Sequence, residues 1–219
     1  IGRAFERAVA GMSLQEGGNT QFGALLLVVP LVRTAARGDL TPAGASEVVE
    51  ATTAADAADF YRAFDHVDVA VDEPPEDMAD LDVRRGSEAV PAIEARGIAL
   101  QGVMERSTDR DGLAREWVGG FERTFAAARG IESRGGPIPD RAADVFLELL
   151  AEEPDTFVAT QHDEATAVEA SERARAALDG KVDPETLAEE FVVEGINPGT
   201  TADLVAGGLY VALEGGVSV

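Results

Sequence analysis

Two stretches of the 219-residue chain set a carboxylate beside a helix start. In EEPDTFVATQHDE (152–164), Asp155 follows Pro154 and opens a helical pattern. In EGINPGTTADLVAGGLYVALEGG (194–216), Gly199, Thr200 and Thr201 open another, with Asp203 in its first turn. The first amides of a helix have no intrahelical acceptor and lie at the positive end of its dipole, so they suit a phosphate. Mg²⁺ is commonly held by one or two carboxylates together with substrate phosphates. Asp155 and Asp203 are therefore candidates for a divalent cation, and Gly199, Thr200 and Thr201 for a phosphate. The plainer reading of each is a cap: Asp155 for its own helix, Thr200 with Asp203 for the last one. Gly207 and Gly208 lack side chains, so another helix or a flat ligand can approach closely there.

Two further stretches carry chemistry-bearing residues. QEGGNTQFGALLL (15–27) leads two glycines, Asn19 and Thr20 into a very apolar helix. Asn19 and Thr20 either cap that helix or offer polar groups to an anion. MERSTDRDGLAREWVGGFERTF (104–125) holds Arg106, Arg110 and Arg115, scarce cations in an acidic chain. Neighbouring carboxylates account for most of them, leaving one or two for an anionic substrate. The phosphate-loop patterns G-x-x-x-x-G-K-[ST] and G-x-G-x-x-G do not occur.

Helical periodicity predicts the elements that position these residues. Residues 1–12 read as the end of an amphipathic helix. Residues 19–37 read as a buried one, which Pro30 should kink or divide. Thr41 and Thr53 read as N-caps, with Pro42 at a first helical position and Asp56 completing a capping box. The two-proline stretch 71–86 is predicted as a long loop. Helices follow at 87–95 and 98–106. From Asp109 a longer one places Leu113, Trp117, Phe121 and Phe125 on one stripe. Further helices are predicted at 140–151, 155–178 and 184–193, and a last one from Gly199 or Thr200. No strand pattern appears. The expectation is one all-α domain, residues 1–219, of about nine or ten helices.

Composition restricts the function classes. With Asp and Glu at 41 against Lys and Arg at 18, the formal charge is −23, and Lys181 is the only lysine. Such a charge destabilises a compact chain by self-repulsion. In molar salt the Debye length falls to about 3 Å and the repulsion is screened. A halophile's salt-rich cytoplasm is the economical setting. No basic stripe exists for nucleic acid, and no apolar run is long enough for a membrane span. The chain has no cysteine, which excludes disulfides and thiolate metal sites, and its two histidines, His66 and His162, are far apart in sequence. The chain opens IGRAFERAV, without Met and already in a helical pattern.

GGNTQFGALLL, DTFVATQH and INPGTTADLVAGGLYVAL, in this order and at these separations, resemble the triphosphoribosyl-dephospho-CoA synthase family. DRDGLAREWVGGFERTF fits its archaeal branch. The resemblance spans nearly the whole chain. It implies an all-α transferase that moves the 5-triphosphoribosyl group of ATP to the 2′-hydroxyl of 3′-dephospho-CoA and releases adenine. It implies Mg²⁺ with ATP as substrate, Asp155 and Asp203 toward the metal, Gly199, Thr200 and Thr201 around phosphate, and Asn19 and Thr20 at the nucleotide or ribose. Glu16 or Glu122 is the implied base. Bacterial members carry NTHKG where this chain has NTQFG, so Gln21 and Phe22 replace a potential acid/base and a cation. Members also have a Pro-Gly-containing segment before the point where this sequence begins, so that segment is expected to precede it. The alternatives are a related ATP-dependent transferase or nucleotide-processing enzyme with another coenzyme acceptor, and a non-catalytic helical binding module.

Overall fold

The computed structural model describes residues 1–15, 21–71, 74 and 76–218. Glu16, Asn19 and Thr20 lie outside them. The described residues form thirteen α-helices, more than the nine or ten expected, and no strand. The contacts group into two compact units, Ile1–Asp109 with Leu113–Phe121, and Arg110–Gly112 with Glu122–Val219.

The first unit contains α1 (Gly2–Met12), α2 (Phe22–Ala36), α3 (Pro42–Glu50), α4 (Ala54–Ala63), α5 (Val90–Arg96) and α6 (Leu100–Glu105), together with most of α7 (Gly112–Val118). Thr41 and Thr53 cap α3 and α4 as the sequence predicts, and Asp56 closes the capping box. Phe5, Phe22, Phe60 and Phe64 bind α1, α2 and the end of α4 through ring contacts with centroids 4.9–5.6 Å apart. Phe22, the departure in NTQFG, is thus a buried packing residue. The stretch predicted as a loop carries two 3₁₀ segments, Glu76–Leu81 and Val83–Ala89. Tyr61, buried beneath them, donates its hydroxyl to the Leu81 carbonyl at 2.6 Å.

Pro30 does not divide α2. A proline inside a helix leaves the carbonyl four residues earlier without its amide partner. Here that carbonyl belongs to Leu26, and the buried Trp117 indole N–H donates to it at 3.1 Å. The orphan acceptor is satisfied by a side chain, so the helix continues.

The stripe Leu113–Trp117–Phe121–Phe125 spans two helices. After α7, Gly120 takes a left-handed φ of 73°, and the Phe121 amide donates back to the Glu116 carbonyl at 2.8 Å. This is a Schellman closure with glycine at the left-handed position. Phe121 itself has φ 60°, rare without a glycine, and is fully buried against Trp117 with centroids 6.4 Å apart. The next helix, α8 (Glu122–Ser133), begins immediately. The GlyGly pair in the sequence marked the break; the i+4 spacing across it concealed it.

The second unit contains α8, α9 (Ile138–Glu152), α10 (Thr156–Gln161), α11 (Glu164–Leu178), α12 (Pro184–Glu194) and α13 (Gly199–Glu214). The expected helix over 155–178 is split because Asp163 caps α11, accepting from the Thr166 amide at 2.8 Å. That amide holds the Asp163 carboxyl below the usual carboxylate range. Leu150, Val158, Ala167, Ala170, Ala174, Leu187, Phe191 and Ile196 form a core between α9, α10, α11 and α12. The small alanines let α11 pack tightly against α9. Gly208 lets α13 approach α8, and this approaching element is a helix of the chain itself.

Candidate active site

The DTF and NPGTT motifs, apart in sequence, meet at one junction within the second unit. The left-handed Gly195 (φ 73°) ends α12, and the chain turns through Pro198 into α13. The N-cap position of α13 is Pro198, whose side chain makes no cap hydrogen bond. Its first turn is instead capped from another helix. Asp155 Oδ2 accepts from the Thr201 amide at 2.7 Å and from the Thr201 hydroxyl at 2.7 Å. Asp155 Oδ1 caps α10 in the ordinary way, accepting from Phe157 N at 2.9 Å and Val158 N at 3.1 Å. One carboxylate, 2% exposed, thereby joins two helix N-termini.

A second link runs beside the first. Thr156 Oγ1 and Thr200 Oγ1 are 3.0 Å apart, and the Gly112 amide donates to Thr156 Oγ1 at 3.0 Å. Gly199 has the Phe157 ring against its Cα; a Cβ there would lie 2.7 Å from Phe157 Cδ1. The junction therefore draws on Gly112, α10 and α13. Thr156, Phe157 and Gly112 are the residues that sequence reasoning left unassigned. Their signal was adjacency, since all three sit inside the motifs DTFVATQH and DRDGLAREW.

The sequence candidates separate as follows. Asp155, Gly199, Thr200 and Thr201 come together. Thr200 lies inside α13, and Asp155 performs the capping that Thr200 with Asp203 was expected to perform. Asp203 is half-buried and opens the second turn of α13. Glu122 is exposed at the first residue of α8, and no hydrogen bond or ion pair among the described residues ties it to Asp155. Among the described residues no three His, Cys, Asp or Glu side chains gather to hold a metal. Asp155 has all four acceptor positions filled by donors of the chain. Its fit as a direct ligand is poor, whereas a carboxylate serving Mg²⁺ that arrives on a triphosphate need not belong to such a cluster. His162 Nε2 lies 3.1 Å from the Gly195 carbonyl, a bond that ties the end of α10 to the turn after α12.

A family model described as CitG, ATP:dephospho-CoA triphosphoribosyl transferase, matches residues 1–218. The chain belongs to that family. Among solved structures, a crystal structure from Archaeoglobus fulgidus assigned as a triphosphoribosyl-dephospho-CoA synthase is similar to it, with 26% identity and a TM-score of 0.77 over 99% of this chain and 90% of that one. No curated protein sequence matched. The triphosphoribosyl transferase family thus accounts for almost every residue, and the all-helical fold agrees with the motif resemblance. Among the described residues no helix is long and apolar enough to cross a membrane.

Proposed function

We propose that this chain transfers the 5-triphosphoribosyl group of ATP to the 2′-hydroxyl of 3′-dephospho-CoA. The ribose C1–N bond to adenine breaks, a C1–O bond to the acceptor forms, and the hydroxyl proton is passed on as adenine leaves. The observation that carries the reading is the family match over residues 1–218, supported by the hydrogen-bonded meeting of DTF with NPGTT. Breaking the C1–N bond builds positive charge on C1, which a carboxylate nearby can stabilise, while a base takes the hydroxyl proton. Glu16 and Glu122 are the candidates for that base.

The triphosphate needs donors in a protein that otherwise repels anions. Gly199, Thr200 and Thr201 at the start of α13 are the expected cradle; with both Thr201 donors on Asp155 and the Gly199 amide on the Asn197 carbonyl, Thr200 is the candidate donor among them, with Asn19 and Thr20 toward the nucleotide. Mg²⁺ bound to the triphosphate would neutralise phosphate charge, with Asp203 the carboxylate on its protein side.

The deciding assay incubates the protein with Mg-ATP in molar KCl, with and without dephospho-CoA, and follows adenine by chromatography. Adenine that appears only with dephospho-CoA is the expected result. Adenine with a different coenzyme acceptor would move the chain to a related transferase; no turnover and no ATP binding would make it a binding module. Asp203→Asn is expected to lower adenine release about a hundredfold while the protein stays folded. Retained turnover would remove Asp203 from the site.

The charge of −23 and the single lysine fit a salt-rich, archaeal cytoplasm as the working environment. Raising KCl from 0.1 M to 2 M is expected to raise the melting temperature by roughly 10 °C or more, as the Debye length falls from about 10 Å toward 3 Å and below. A melting temperature flat across that range would contradict the halophilic assignment.

A further inference from the structure

We propose that Asp155 is a positioning residue of the transfer reaction, acting through Thr201 and the Thr156–Thr200 hydroxyl pair, and that it does not bind the metal. The inference rests on the reaction proposed above. An ionised carboxylate has about four acceptor sites. Here four donors fill them, two from α10 and two from Thr201, at 2.9, 3.1, 2.7 and 2.7 Å. Mg²⁺ demands near-octahedral ligands at about 2.0–2.1 Å. To enter that sphere Asp155 would have to release either its own helix cap or the buried Thr201 donors. Both leave unsatisfied groups in an interior where such groups are costly. The bonds to Thr201 are short and charge-assisted, the kind that fixes geometry.

What they fix is the register of α13 on α10. That register sets Thr156 and Thr200 at 3.0 Å. The two hydroxyls own two protons. One lies between them, and the Gly112 amide already fills an acceptor site on Thr156. The other hydroxyl proton has no acceptor among the described residues. The pair therefore leaves one O–H, on Thr156 or on Thr200, free to donate to a phosphate oxygen, and where the pair sits depends on Asp155.

Asp155→Asn and Thr201→Val, alone and combined, test this. Asp155→Asn keeps the shape but can accept on one oxygen only. It is expected to raise the KM for ATP about tenfold, with kcat changed less than about threefold, because positioned binding is lost without loss of a reacting group. The Mg²⁺ concentration for half-activation should stay constant. Thr201→Val should reproduce the KM change, and the double variant should be no worse than Asp155→Asn, because both remove one link. Calorimetric titration with ATP, with and without Mg²⁺, supplies a readout independent of turnover: both forms of ATP should weaken equally.

A tenfold shift in Mg²⁺ half-activation, or weakening confined to Mg-ATP, would overturn the proposal in favour of a metal ligand. If Asp155→Asn fails to fold, Thr201→Val still decides, since it removes only the hydroxyl bond; an unchanged KM there also overturns it. Wild-type protein that binds ATP but releases no adenine would sink the reaction reading alone, leaving the titration to judge Asp155. Wild-type protein that binds no ATP would overturn both.

Discussion

Asp155→Ala is expected to lower the melting temperature by about 10 °C at constant KCl. Removing the N-cap of α10 costs about 1 kcal/mol. The Thr201 amide, buried with its residue at 2% exposure, loses its acceptor among the described residues at a further cost of about 1–3 kcal/mol. The Thr201 hydroxyl can turn to a helix carbonyl and recovers part of its loss. The sum is roughly 3 kcal/mol, and each kcal/mol corresponds to about 2–4 °C in a chain of this size. Differential scanning calorimetry measures it directly. A shift under about 3 °C would show that the donors find other acceptors and that the junction does not secure α13.

Gly208→Val is expected to destabilise by about 3 kcal/mol, while Gly11→Ala is expected to stabilise by about 0.5–1 kcal/mol. Both glycines lie in helices, so propensity alone favours replacement at each. The surroundings reverse the sign at Gly208. A Cβ there would sit 2.6 Å from Ala127 Cβ and 3.0 Å from Ala128 N. Neither atom is on a side chain that can swing away, so α13 and α8 must separate. A Cβ at Gly11 meets nothing within 4 Å. Chemical denaturation of the two variants beside wild type checks the pair. A Gly208→Val protein as stable as wild type would mean that the α8–α13 contact is looser than the structure shows.

The helical class was legible because the chain repeats apolar residues at helical spacing and lacks any alternating run. The caps at Thr41 and Thr53 were legible because they depend on residues within one turn. The break at Gly119–Phe121 was not, because a stripe at i+4 steps continues across it and only the GlyGly pair signals the stop. The continuity of α2 was not, because it depends on Trp117, a partner far along the chain. At the candidate site the sequence pointed to Asp155 and Thr201 separately. It did not pair them, because pattern alone cannot say that one carboxylate caps two helices. Asp155 was read as a cap or a cation ligand; its neighbour Thr156 carried no signal of its own.

The bond from Trp117 to the Leu26 carbonyl also constrains how this sequence can change. Proline at position 30 costs least in a chain whose α7 already offers an indole N–H. Once the proline is present, tryptophan cannot be given up for phenylalanine without stranding the Leu26 oxygen in the interior. The two positions form a ratchet. A chain that gains the tryptophan first and loses it last never strands the Leu26 oxygen, whereas the opposite order passes through a weakened intermediate.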